Sequence, residues 1–143
     1  MDSMFYRRYR LERVDLPKSD MNALEDMSAM FADCHSLSSL DLSGMDTTNV
    51  TNMRSVFYRC YNLPGLNLSG TNTSEVTSMD YLFAECGSLT SLDLTAFDMS
   101  KVEDMPCMFL GCPGLQKLET NGFDAAAVTE KEALFYGCPV VID

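Results

Sequence analysis

The sequence predicts an α/β fold, a right-handed solenoid in which each unit contributes one short parallel strand and one short helix. Two observations predict it. Side chains recur every 26 residues along the 143-residue chain, and each unit combines an alternating apolar segment with one of three-and-four apolar spacing. A unit of this size cannot bury its own apolar face, but stacked units can. Because helices are wider than strands, we expect the stack to curve with the sheet on its concave side.

Columns of identical or similar residues define the repeat. Phenylalanine occupies one column in all six units, and cysteine occupies another in five of them, with Arg8 in the first position. The phenylalanines are Phe5, Phe31, Phe57, Phe83, Phe109 and Phe135, and the cysteines are Cys34, Cys60, Cys86, Cys112 and Cys138. We therefore expect one repeat domain over residues 1–143. Its units are 1–26, 27–52, 53–78, 79–104 and 105–130, with a partial unit at 131–143.

Each unit divides into two predicted elements. Around 40–42 (Leu-Asp-Leu) apolar and polar residues alternate, which predicts a short strand, and 43–44 (Ser-Gly) supplies the turn that follows it. Between Met53 and Cys60 the apolar residues fall at 53, 56, 57 and 60, the spacing of a short helix. The column before this segment contains good helix N-cap residues. They are Asp26, Asn52, Ser78 and Asp104.

Several segments of the chain resemble a known repeat. LSSLDLS (37–43), LPGLNLS (63–69) and LTSLDLT (89–95) look like leucine-rich repeats. The longer segments 27–50, 49–76 and 79–102, with their MxxMFxxCxxLxxLxL signature, are similar to the 26-residue repeat of BspA-like bacterial surface proteins. The resemblance implies a leucine-rich-repeat solenoid in an exposed array that mediates protein binding or adhesion. It implies no catalytic residues.

The candidate binding residues follow the predicted strands. One column of acidic and amide residues occupies the middle of each strand and points away from the core. Like charges on neighbouring strands repel, so two interpretations stay open: the side chains bond the following turn, or they receive a basic or hydroxyl-rich partner. The predicted binding set is Asp15, Ser39, Asp41, Asn67, Ser91, Asp93, Lys117 and Glu119.

Two further columns have structural interpretations. The column cysteines are expected to be buried thiols, since stacked helices lie roughly 8–10 Å apart and a disulfide needs closer Cα atoms; a disulfide or metal site is the alternative. A second acidic column is expected to bond backbone N–H groups two residues on, with calcium binding as the alternative. That column consists of Asp20, Asp46, Asn72, Asp98 and Asp124.

Charge and composition exclude several classes of function. The net charge of -11 argues against a nucleic acid or an anionic membrane as the main partner. No apolar segment approaches the roughly 18 residues of a membrane helix, and the first ten residues do not form a signal peptide. The single histidine, His35, is expected at a solvent-facing helix end. No nucleophile and base break the repeat pattern together, so we expect no enzymatic activity, no cofactor and no metal site.

Charge is also distributed unevenly along the chain. Residues 1–20 hold five basic and four acidic groups, whereas the remainder holds five basic and seventeen acidic groups. The arginines at 7, 8, 10 and 13 account for most of the basic charge in the first unit. The contrast favours either head-to-tail stacking of solenoids or simple solvation of an exposed end.

The sequence therefore predicts a non-enzymatic protein-binding or adhesion module of a bacterial-type surface protein. Its partner, a protein or a glycan, would lie on the sheet face and adjacent loops. The alternative is a structural subunit of a larger intracellular assembly, held through uncapped solenoid ends and able to self-associate end to end. The resemblance implies a cell-surface or extracellular location, while the lack of a signal peptide in this chain keeps an intracellular one open. We also expect the chain to be part of a longer array.

Overall fold

The regular structure consists of short parallel strands. The computed structural model describes residues 3–16, 23–121 and 133–140. Within these residues the strands are β1 (Arg13–Val14), β2 (Ser39–Leu40), β3 (Ser91–Leu94) and β4 (Lys117–Thr120). β1 pairs with β2 and β3 pairs with β4, each parallel and offset by one 26-residue unit. Isolated parallel bridges keep the same register, from Asp26 through Asn52 and Ser78 to Asp104, and between Asp41 and Asn67.

The prediction of one helix per unit is wrong, since the described residues contain no helix. Hydrogen-bonded turns, such as those over 54–59, take its place. Ala29, Phe31 and Asp33 donate their backbone N–H groups to carbonyls of the next unit over distances of 2.8–3.0 Å. An α-helix would use those N–H groups for bonds within its own unit. The α/β right-handed leucine-rich-repeat solenoid is therefore not the fold of this chain.

Left-handed backbone conformations explain why the three-and-four apolar spacing does not form a helix here. Ala29 has a φ of 53° and Asp33 a φ of 60°, and both of their columns have positive φ in every described unit. A left-handed residue at every fourth position interrupts helical hydrogen bonding. The buried positions between these residues nevertheless keep a spacing of three and four, with Met53, Val56, Phe57 and Cys60 all fully buried.

Successive units lie close together on the turn side of the molecule. Neighbouring rings of the phenylalanine column stack with centroids 5.2–5.9 Å apart and planes within 9° of parallel. Packed helices would lie roughly 8–10 Å apart. The predicted stacking of identical side chains is confirmed for these phenylalanines. The predicted curvature was based on a wide helical side, which the described residues do not contain.

The cysteine column is hydrogen-bonded between units. The Sγ atoms of Cys34, Cys60, Cys86 and Cys112 each donate to a phenylalanine carbonyl of the preceding unit over 3.0–3.3 Å. All six cysteines are thiols, and these four are buried. The prediction of buried thiols is confirmed for these four cysteines, although helix spacing is not the cause. Within the described part of the chain, no three His, Cys, Asp or Glu side chains are placed to hold a metal ion.

Candidate binding surfaces

The eight predicted binding residues are all exposed and follow the strands; we call them the strand-face ladder. Ser91 pairs with Lys117 and Asp93 with Glu119 across β3 and β4. Asp15 directly follows β1, as Asp41 follows β2, and Asp41 is bridged to Asn67. The structure therefore places the residues of this set on neighbouring rungs, as the alternating pattern predicts.

The acidic and amide side chains of the ladder hold the turns that follow them. Oδ1 of Asp41 accepts the Ser43 N–H at 2.8 Å, and Oδ1 of Asn67 accepts the Ser69 N–H at 3.0 Å. Oδ1 of Asp93 accepts both the hydroxyl and the N–H of Thr95, at 2.6 and 2.9 Å. These two bonds lower the pKa of Asp93, and the bond from the hydroxyl has the larger effect. The interpretation that the column bonds the following turn is confirmed for Asp41, Asn67 and Asp93.

Cations neutralise the ladder at its outer rungs. Arg13 forms an ion pair with Asp15 at 3.0 Å, and Lys117 forms one with Glu119. Arg13 and Lys117 share a column with Ser39 and Ser91, which lie two residues before Asp41 and Asp93 in sequence. The inner carboxylates, Asp41 and Asp93, therefore have a hydroxyl in the position where the outer ones have a cation.

The second acidic column is also structural, as predicted. Asp46, Asn72 and Asp98 each accept a backbone N–H from two residues on, over 2.9–3.0 Å. Thr48 lowers the pKa of Asp46, and Ser100 lowers that of Asp98. In both cases the hydrogen bond from the side chain has the larger effect and the one from the backbone N–H the smaller. Asp20 and Asp124 lie outside the described residues.

Sequence reasoning missed an aromatic ladder on the turn side. The His35 ring lies between those of Tyr9 and Tyr61, with centroid distances of 4.9 and 4.8 Å. His35 Nε2 also lies 3.5 Å from Oδ1 of Asp33. The expectation that His35 ends a helix is wrong. The available signal was the 26-residue spacing of three aromatic rings at 9, 35 and 61.

A column of alternating charge runs beside this aromatic ladder. It consists of Arg7, Asp33, Arg59 and Glu85, all with left-handed backbone conformations. Arg7 pairs with Asp33 at 3.6 Å, and Arg59 pairs with Glu85 at 3.0 Å. The Tyr61 hydroxyl donates to Glu85 at 3.4 Å, which joins the two columns. Tyrosine and arginine are enriched at protein interfaces, so this side of the molecule also has the composition of a binding surface.

Strand register, stacked rings and hydrogen bonds between units together define a tandem-repeat protein in which each unit packs on the next. The chain belongs to a family described as "Mycoplasma protein of unknown function, DUF285", whose model matches residues 1–65 and 25–141. Neither a curated protein nor a solved structure matches it. In the described ranges, no helix has the length and apolar character needed to span a bilayer.

Proposed function

We propose that this chain is a non-enzymatic binding module that holds a protein partner on the strand-face ladder. We further propose kinship with the BspA-like surface repeats and a role in adhesion, on the basis of the shared MxxMFxxCxxLxxLxL signature. The observation that carries the proposal is the in-register, exposed row of polar side chains. A role at the surface of a cell follows from the same resemblance.

The fixed turns favour binding. Asp93 is held by the hydroxyl and N–H of Thr95, and Asp41 accepts the N–H of Ser43, so these carboxylates are oriented before a partner arrives. Orientation in advance reduces the entropy that is lost on association. Neighbouring rungs of a sheet lie roughly 4.8 Å apart, so Asp41 and Asp93, two rungs apart, are separated by roughly 10 Å, about the length of three residues of an extended, basic and hydroxyl-rich segment of a partner protein. Complementary charge would then set the register of the two chains.

A double substitution of Asp41→Asn and Asp93→Asn tests this role without disturbing the turns. Asn67 already occupies the same column and accepts the Ser69 N–H through its amide oxygen. The variant therefore removes two charges and keeps the backbone bonds. We expect binding of a fluorescein-labelled (Lys-Ser)4 peptide, followed by fluorescence anisotropy, to weaken about tenfold, while the circular dichroism spectrum of the folded chain is retained.

The matched control is Asp46→Asn with Asp98→Asn. This variant has the same net charge, and Asn72 shows that asparagine is accommodated in that column too. We expect the control to bind the peptide within about twofold of the unmodified chain, because rim charges away from a contact contribute little. Equal weakening of the two variants would show only general attraction to an acidic protein and would reject the strand face.

A further inference from the structure

The aromatic ladder on the turn side stops at Tyr61, although further units follow. His35 covers one face of the Tyr61 ring, with the two centroids 4.8 Å apart. The next residue of this column is Gly87, which has no side chain, and the one after it is Pro113. Tyr61 is 38% exposed, and among the described residues its ring stacks with no ring besides His35. The second face of the Tyr61 ring is therefore left uncovered by the unit that follows it.

The position of Gly87 in this column has room for one planar group. On the neighbouring phenylalanine column the rings of Phe57 and Phe83 lie 5.3 Å apart and those of Phe83 and Phe109 lie 5.8 Å apart, more than the roughly 3.5–4.0 Å of van der Waals contact. A Cβ atom on Gly87 would meet only the Tyr61 carbonyl oxygen within 4 Å, at 3.8 Å. The backbone of Gly87 is not left-handed, so its conformation does not require glycine.

A carboxylate lies at the edge of this open position. The Tyr61 hydroxyl donates to Oε2 of Glu85 at 3.4 Å, and Glu85 belongs to the same unit as Gly87. Arg59 of the preceding unit pairs with the same oxygen at 3.0 Å. The following residue of the charge column is Gly111, which contributes no charge and whose added Cβ would lie 3.4 Å from Cγ of Glu85. The aromatic column and the charge column therefore stop side by side.

The surrounding charge favours a cation at this place. Residues 79–121 hold two lysines and seven acidic groups, and both lysines are already paired with glutamates. The protein itself shows which cation satisfies an aromatic face and this carboxylate together. The guanidinium group of Arg59 lies over the Tyr58 ring at 4.7 Å, and its Nε donates to Glu85 at 3.0 Å. A planar guanidinium can stack and pair at once, whereas the ammonium group of lysine is not planar.

We propose that the open position above Gly87 binds an arginine side chain of a partner protein. The guanidinium group stacks on the uncovered face of Tyr61 and pairs with the carboxylate of Glu85. The bound arginine thereby continues the aromatic column and the charge column by one position each. This site shares no residue with the strand-face ladder, and it selects a planar cation rather than positive charge in general.

Two-dimensional NMR spectroscopy with the peptide N-acetyl-Gly-Arg-Gly amide tests the proposal. Addition of the peptide should shift the backbone amide signals of Gly87 and Ser88, and the lysine analogue should bind about threefold more weakly. Gly87→Tyr should weaken binding about tenfold, read from Ser88, because the new ring occupies the place of the guanidinium group and continues the ladder. Glu85→Gln should weaken it about threefold, since it removes one exposed charge and keeps an oxygen that can accept from Arg59.

Each variant has a matched control. Gly65 on the strand side is also not left-handed, and a Cβ there would lie 3.7 Å from the Ser91 carbonyl oxygen, so Gly65→Tyr should leave binding within about 1.5-fold of the unmodified chain. Glu75→Gln changes the net charge equally but removes the partner of Lys101, and it should also bind within about 1.5-fold.

Four results would overturn the proposal. The first is the absence of binding by the unmodified chain, and the second is equal affinity for the arginine and lysine peptides. The third is an equal effect of a substitution and its control, or shifts confined to the strand-face ladder. The fourth is tighter binding of N-acetyltyrosine amide or of methyl glucoside at Gly87, which would assign the position to an aromatic side chain or to a sugar.

Discussion

A substitution of Thr73→Val tests whether buried hydroxyl groups join neighbouring units. Thr73 is 1% exposed. Its Oγ1 donates to the Asp98 carbonyl of the next unit at 2.9 Å and accepts the Asp98 N–H at 2.8 Å. Valine has nearly the same shape but can make neither bond. The variant therefore leaves the backbone donor and acceptor of Asp98 without these partners.

The expected loss follows from those two groups. A buried polar group that loses its partner costs about 1–3 kcal/mol. The Asp98 side chain is exposed, so water can reach part of this backbone. We therefore expect the free energy of unfolding to fall by about 2 kcal/mol, near the lower end of the range for two groups. Urea unfolding followed by circular dichroism should show a lower midpoint with an unchanged slope.

Two further variants make the test specific. Thr47→Val should lose a similar amount, since Thr47 makes the same pair of bonds with Asn72, at 2.9 and 2.7 Å. Thr77→Val should lose less than about 0.5 kcal/mol, because Thr77 is exposed and its hydroxyl only donates to the Thr51 carbonyl at 3.3 Å. Similar losses at Thr73 and Thr77 would refute the idea that the buried threonines connect the units.

Three other predictions concern the turns and the titrating groups. Ala29→Gly should leave stability unchanged or raise it by up to about 1 kcal/mol, because Ala29 has a φ of 53°. Ala32→Gly, at a buried position, should lower stability. Thermal melting of the two variants compares these effects. Burial raises the pKa of the Cys34 thiol from 9.0 to about 11, so stability should be constant below pH 9.0 and fall as the pH rises towards 11, measured by urea unfolding at each pH. The pKa of Asp93 is lowered from 3.8, so its contribution is present above pH 3.8 and lost below it, and Asp93→Asn should weaken the acid dependence of the melting temperature.

The register of the units could be predicted from the sequence because each column repeats one kind of side chain. Stacking identical residues is the arrangement that buries every column at once, and the phenylalanine rings and the pairing of Ser91 with Lys117 follow it. The strand-face ladder could be predicted for the same reason. Alternation between Leu92, Asp93 and Leu94 assigns one face to the core and the other to solvent, as their burial shows.

The turn segment could not be predicted from the same pattern. Ser55 and Arg59 have φ angles of 57° and 59°, but neither residue type indicates a left-handed conformation. Only Gly111 and Gly137, in the column of Arg59, give that signal, and they occur late in the chain.

Close spacing between units constrains charge on both sides of the molecule. On the turn side the column of Arg7, Asp33, Arg59 and Glu85 alternates in sign, so each side chain faces an opposite charge one unit away. On the strand side an amide, Asn67, lies between the two inner carboxylates and separates them by two rungs, roughly 10 Å. That distance is about one Debye length at physiological salt, so their mutual repulsion is weak. The spacing of the units therefore allows both carboxylates on the same face of the sheet.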